Sequence, residues 1–329
     1  MFSTQISRSS GAAPAIAFTV LLSACGGGGS GGNSASAGVS VLKLSSAVQS
    51  EHVARYAGAF GMLSGPGVAA IYTSVVQSLV SGVTAGTANT TTACAVSGSI
   101  GVIAQSAGAS GLQSGETATV SFNQCVGQVK APGVSADASV TGSVSVQIQN
   151  VQGVVGNASN DWSYSATETA NALTLSSPNG TTSVNGTVNF SMSYNAVTGL
   201  TTTAASAPTV QLNRTQAAGS GSISGNITIT SMTFSRVHGG TPVTDTLSTS
   251  GIVSVSAADA VIAFNVATPA PVTISNGNVQ AGVIQLSTAD TLETITAKDA
   301  ATVGITVTSN GQTGTYTETV DSFRSLTGS

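Results

Sequence analysis

The sequence predicts a mainly β protein: a curved antiparallel sheet of about a dozen strands, a half-pipe or incomplete barrel, with a short N-terminal helical segment. Three observations predict it. Beyond Ala93, apolar residues recur at every second position, as in Val140, Gly142, Val144, Val146 and Ile148, and again in Val184, Gly186, Val188, Phe190, Met192 and Tyr194. The positions between them are mostly Ser, Thr, Asn and Gln, the pattern of a sheet with one face on a core and the other in water. Turn signals separate the runs and mark hairpins: Ser177-Pro178-Asn179-Gly180, Asn195-Ala196-Val197-Thr198-Gly199, His238-Gly239-Gly240-Thr241-Pro242 and Asn310-Gly311.

The chain opens with the three parts of an export signal over residues 1–24. A first stretch carries one positive charge, Arg8, and no acid. An apolar stretch runs from Gly11 to Leu22, and the small residues Ser23 and Ala24 precede Cys25. The apolar stretch is about a dozen residues long, where roughly twenty are needed to cross a bilayer. Leu22-Ser23-Ala24-Cys25 resembles the lipobox of bacterial lipoproteins. The resemblance implies cleavage before Cys25, a diacylglycerol thioether on its sulfur, and an acyl chain such as palmitate on the new amino group. It also implies the outer membrane, because Gly26 stands where lipoproteins kept at the inner membrane commonly carry Asp. Several acyl chains hold a protein stably where one does not. Residues 25–40 are then the acylated cysteine and a flexible Gly/Ser tether, with a root-mean-square span of about 20 Å.

Composition narrows the function classes. Hydrophobic residues make up 41%, charged residues 6% and aromatics 4%. The charged fraction is far below the quarter usual in soluble domains. Net charge is −4, and −5 once Arg8 leaves with the signal. No basic stripe exists to meet nucleic acid. The expected partners are the membrane, through the lipid, and an envelope protein or an apolar ligand. With Cys25 assigned to lipid, Cys94 and Cys125 remain as one pair, and an oxidising compartment predicts a disulfide between them.

Residues 41–85 read as helical. From Ser46 to Leu63 apolar residues fall at helical spacing, with Ser46 as N-cap and Glu51 early in the helix. Ser64-Gly65-Pro66-Gly67 is expected to break it, and Val68 to Val80 to form a second helix. The pair would be a helical hairpin packed on or plugging the sheet. Residues 90–329 form the antiparallel β domain. Gly142, Gly186, Gly225 and Gly251 recur near strand starts at irregular spacing, which argues for bending of a sheet and against a strict solenoid. A closed outer-membrane barrel is disfavoured by the few aromatics and by the lipid anchor it would not need.

No catalytic, cofactor or metal site is encoded. His52 and His238 are the only histidines, no G-x-S-x-G elbow occurs, and the pair cannot specify zinc. Asp161 beside Trp162, with Tyr164 two residues on, would suit sugar stacking; a hydrophobic strand start accounts for the same residues. Asp290, Glu293, Asp299, Glu318 and Asp321 make the C-terminal third mildly acidic without an intact calcium loop. The expectation is a non-enzymatic envelope lipoprotein whose β body binds a ligand or partner, with a surface-displayed adhesin-like protein as the alternative.

Overall fold

The computed structural model of the chain describes residues 43–83, 89–104, 111–129, 137–178, 180–218, 221–257, 260–276 and 278–322. The expected signal, Cys25 and the expected tether lie outside these residues. A 3-10 turn, Leu44–Val48, leads into helix α1, Glu51–Val83. Fourteen strands follow: β1 (Asn89–Ala93), β2 (Ser97–Ala104), β3 (Thr117–Val126), β4 (Ser139–Gln152), β5 (Trp162–Ser177), β6 (Gly180–Asn195), β7 (Leu200–Ala218), β8 (Gly221–Gly239), β9 (Thr244–Ala257), β10 (Ala260–Ser275), β11 (Asn278–Ser287), β12 (Thr291–Ala297), β13 (Thr302–Ser309) and β14 (Gln312–Thr319). They pair in sequence order as one antiparallel sheet, which does not close into a barrel.

The mainly β, open antiparallel sheet is as expected; its strands number fourteen and include the polar β1 and the Thr/Ala-rich β7, which alternation did not mark. The helical segment needs correction. The helical hairpin is instead one continuous helix, with Pro66 inside it. The cap also differs: Ser46 lies in the 3-10 turn, and Ser50 Oγ accepts the Val53 N–H at 3.4 Å. Proline removes one helical hydrogen bond, but tertiary packing overrides it. Gly65 lets the helix close on the Thr249 side chain, where any Cβ would clash, and Gly61 does the same against Leu286. Buried hydroxyls on α1 are satisfied locally, Ser74 donating to the Ala70 carbonyl at 2.9 Å and Ser78 to that of Ser74 at 2.8 Å.

The long strands are interrupted along one line that crosses the sheet. Register shifts fall at Phe122/Cys125, Thr141/Val144, Ala170/Leu173, Gly186/Asn189, Thr230/Thr233 and Ala267/Val272. Positive φ angles sit on the same line at Gln124, Gly142, Ala172, Gly186, Ser231, Gly251 and Gly282. Bulges of this kind bend a strand, so the line is a crease. Proline explains its position in two strands: Pro208 in β7 and Pro269 with Pro271 in β10 have no N–H for a ladder and stand where pairing lapses. Gly142, Gly186 and Gly251 therefore bend the sheet as expected, but from strand interiors. Gly225 pairs regularly with Arg214 and Ala257 away from the crease.

Helix α1 crosses the strands on the concave side, meeting them in reverse order. Arg55 lies 3.6 Å from Glu318 on β14. Gly61 faces β11 and β10, and Gly65 faces β9. Tyr72 Oη donates to the Gly186 carbonyl on β6 at 2.9 Å, and α1 also touches β1, β2 and β3. At 1.5 Å per residue the helix is about 50 Å long, which spans most of the roughly 60 Å width of fourteen strands. One core results, running from Val53, Tyr72 and Leu79 on the helix to Val144, Phe190, Ile229 and Ile305 on the sheet.

At Gly186 the crease requires φ +142°, and a Cβ would come within 2.8 Å of the Thr209 carbonyl oxygen. Gly186→Ala is expected to lower stability by about 1–3 kcal/mol in denaturant unfolding. Gly101→Ala, where a Cβ meets nothing within 4 Å, is expected to be neutral or slightly stabilising.

Candidate functional site

Three places hold the residues that chemistry could use: the disulfide, the helix–sheet interior and the free end of the long strands. Cys94 and Cys125 form a disulfide, with Cα atoms 5.5 Å apart. It ties the β1–β2 connection to β3. Cys94 and Val96 belong to that connection rather than to a strand, and Val96 is 72% exposed. Cys25, the expected lipidation site, lies outside the described residues.

The interior contains two carboxyl groups with no partner. Glu168 on β5 and Glu293 on β12 have zero exposure, and neither oxygen of either side chain has a hydrogen bond. Their strand neighbours are apolar: Val146 and Val188 flank Glu168, and Leu286 and Val307 flank Glu293. Burial pushes both carboxyls well above the ordinary value of 4.5. Burial therefore favours the neutral acid over the carboxylate at both positions. Tyr72 and Tyr164 are raised, first by burial and then by the nearby Glu168. Glu293 came up in the sequence only as part of an acidic bias, and Glu168 was not singled out at all; its place in the alternation, with Tyr164 and Ala166 before it, is the signal that puts it inside.

The N-terminal end of α1 is clamped to the sheet's last strand. Tyr316 Oη donates to the carbonyls of Ala47 and Val48 at 2.9 and 2.8 Å. Gly314 leaves room for the Val48 carbonyl. His52 packs its ring 4.6 Å from Tyr56.

The expected acidic bias does not condense into a site. Asp290 accepts from the hydroxyls of Thr288 and Thr291. Asp299 caps the turn through Ala301 and Thr302. Glu318 pairs with Arg55. Among the described residues no three or more His, Cys, Asp and Glu gather to hold a metal.

At the free end of the long strands the register aligns Trp162, Tyr194, Thr201, His238, Asp245 and Ile274 in one row on the concave side. Asp245 accepts from Arg236 Nε at 2.6 Å and from His238 Nδ1 at 2.9 Å. Partial burial alone would raise Asp245, but its bonds to Arg236 and then His238 hold it below the ordinary carboxylate range. The pairing uses the same carboxylate oxygen twice and leaves the His238 side chain partly exposed.

Trp162 opens β5 and stacks on Tyr164 and Tyr194, with centroids 6.2 and 5.9 Å apart. That is the strand start. Asp161 Oδ1 accepts the Ala196 N–H at 2.7 Å. A cleft of about 440 Å³ lies beside these residues. Asp161, Trp162 and Tyr194 line it, together with the outer-face register row Gln152, Ser163, Ser193 and Thr202. No family model matches the chain, and no curated protein or solved structure matches it.

Two measurements follow from these interiors. Closure of a loop 31 residues long is worth about 3–4 kcal/mol in the chain-entropy account. Cys94→Ser, Cys125→Ser and the reduced wild type should each lose about that much stability in denaturant, to the same extent. For Glu168 and Glu293 the folded state binds protons that the unfolded chain releases above pH 4.5. Stability is then complete below that pH and falls as pH rises toward each folded-state value, by roughly 1 kcal/mol per pH unit and group. Glu168→Gln and Glu293→Gln should melt near wild type at pH 4 and above it at pH 7.

Proposed function

We propose that this protein is a non-enzymatic envelope lipoprotein, held at the outer membrane by acylated Cys25, whose β body binds an envelope partner or ligand. The observation that carries the reading is Leu22-Ser23-Ala24-Cys25 followed directly by the Gly/Ser tether. The Cys94–Cys125 disulfide supports it, since such bonds persist in oxidising compartments and the pairing leaves Cys25 as the one cysteine for lipid. The filled concave face bears on what is bound. Val75, Val76 and Leu79 of α1 have zero exposure, so an apolar ligand reaches the inner face only by displacing the helix. A partner meeting the outer surface or the strand ends requires no such rearrangement.

The alternative, a surface-displayed adhesin-like protein, is favoured by the outer face itself. Hydroxyl and amide side chains there bond one another across strands, as in Thr169–Thr187 at 3.0 Å, Thr167–Asn189 at 3.1 Å and Thr233–Ser250 at 2.6 Å. Such a ladder offers many uncharged donors and acceptors to an outside ligand.

Fractionation of cells carrying wild type and Cys25→Ser tests the anchor. Wild type should stay with membranes and Cys25→Ser should appear in the soluble fraction; retention of both in the outer membrane would overturn the lipoprotein reading. Protease added to intact cells then divides the two roles. Shaving supports surface display, and protection supports a periplasm-facing body.

A further inference from the structure

The cleft beside Asp161 is built by four strands and the turn that joins two of them. The row Gln152, Ser163, Ser193 and Thr202 crosses β4, β5, β6 and β7 in register on the outer face. Asp161 stands directly before β5, and Asn195, Thr198 and Leu200 bring the end of β6, the β6–β7 turn and the start of β7 into the lining. The volume of about 440 Å³ falls within the range of about 300–1,000 Å³ usual for small-molecule clefts. The polar lining is hydroxyl and amide except for one carboxylate, Asp161. No Lys, Arg or His lines it among the described residues.

Several polar groups here are left open to a ligand. Elsewhere on the outer face Thr169 bonds Thr187 and Thr233 bonds Ser250 across strands. Ser193 and Thr202 also stand opposite each other in register, but their hydroxyls bond nothing among the described residues. Asp161 spends only Oδ1 on the Ala196 N–H, and Oδ2 is open. The frame around these groups is fixed. Asn195 Oδ1 accepts from the Thr198 N–H and from its hydroxyl at 2.9 and 3.0 Å. The Asp161–Ala196 bond ties the start of β5 to the β6–β7 turn. Tyr194 Oη donates to the Ala158 carbonyl at 3.3 Å and so ties the β4–β5 loop to β6. A cleft already held in shape loses less conformational freedom when a ligand enters.

We propose that this cleft binds a neutral saccharide, a short chain of uncharged sugar rings. Sugar hydroxyls both donate and accept, and the Ser and Thr hydroxyls and the Asn and Gln amides of the lining answer in both roles. Asp161 Oδ2 accepts from ligand hydroxyls, and such bonds to a carboxylate are the stronger kind. Trp162, Tyr194 and Leu200 supply the apolar part of the lining, which suits the C–H groups of a sugar ring. Other ligand classes fit less well. A phosphate, a nucleotide or a uronic acid would meet the Asp161 carboxylate and find no cation. An apolar ligand would take Asp161, Ser193 and Thr202 out of water without giving them partners, which is costly. A protein interface concentrates its energy in contiguous anchors rich in Trp, Tyr and Arg, whereas this lining is mostly hydroxyl and amide. The proposal rests on the reading of the β body as a ligand-binding body and names the class of ligand; the anchor at Cys25 is independent of it.

The test uses residues 25–329 carrying Cys25→Ser, free of lipid. Maltotriose, cellotriose, mannotriose and tri-N-acetylchitotriose are titrated separately, with trigalacturonate as the acidic counterpart. Trp162 is the sole tryptophan and lines the cleft, so its emission reports occupancy; calorimetry reads any binding that the emission misses. At least one neutral trisaccharide should bind saturably, and trigalacturonate should not. Asp161→Asn and Thr202→Val should each weaken that binding about tenfold with unchanged melting curves. Thr233→Val, on the outer face away from the cleft, should bind as the parent chain does. Absence of binding across the neutral series, or preference for trigalacturonate, overturns the proposal. Neutral binding that both cleft variants leave intact also overturns it, yet keeps a ligand elsewhere on the β body, so the cleft and the ligand-binding reading fail separately. Because every chain in the series lacks the anchor, the result also stands apart from the fate of Cys25→Ser in cells.

Discussion

The burial of helix α1 across the crease is the interaction on which the rest of this structure depends. An open antiparallel sheet with an apolar face must cover that face, and among the described residues a single long helix does so. The match is geometric. Gly61 and Gly65 strip the helix of Cβ atoms where Leu286 and Thr249 press closest. On the sheet side, Gly186 and Gly251 adopt left-handed backbone that lets the strands fold toward the helix. Tyr72 then joins the two by donating to the Gly186 carbonyl at the bend. Small residues on both partners and one polar contact at the bend make a close approach possible along the full helix.

Against that packing stand Glu168 and Glu293, two acids with no hydrogen bond in an apolar setting. A core formed only for stability would carry Gln, Met or Leu at these positions. Glu168 lies near Tyr72 of α1, so one of the least favourable groups of the interior sits against the helix that covers the sheet. The clamp of Tyr316 and Gly314 on the Leu44–Val48 turn works in the opposite direction. It pins the start of the helix to the last strand.

The alternation was legible because it is a property of neighbouring residues: Val144, Val146 and Ile148 read as one buried face, and they are one. The disulfide was legible from cysteine arithmetic and compartment alone. What escaped depends on partners distant in sequence. Pro66 looks like a break unless the sheet that holds α1 continuous is already known. Strand β7 begins Leu200-Thr201-Thr202-Thr203-Ala204-Ala205, too small and polar for its period to stand out, yet Ala205, Ala207 and Val210 are buried because β6 and β8 flank it. Local composition pointed to Asp161 and Trp162 as neighbours in one site. Both do line one cleft, but with Tyr194 of the next strand, which only the strand register brings to them. The row from Trp162 to Asp245 could not be read at all, since it exists only once the register of five strands is set.

Connectivity explains why so much rests on the helix. Every strand pairs with its sequence neighbours and with no other, so the sheet by itself is close to one-dimensional. In such an array each pairing stabilises only the next, as in repeat proteins. Cooperativity must come from something that touches distant strands at once. Helix α1 does this from β14 back to β1, and the crease does it by bringing inner-face residues on both sides of the bend, such as Val184 and Phe190 of β6, into one core. The same logic accounts for the edges. A sheet left open has two of them, and both are kept modest: β1 is five residues long, and β14 is clamped by the 3-10 turn and closed by a helical turn at residues 320–322. Short or covered edges limit pairing with other chains, so the sheet remains open without offering a long template for a fifteenth strand.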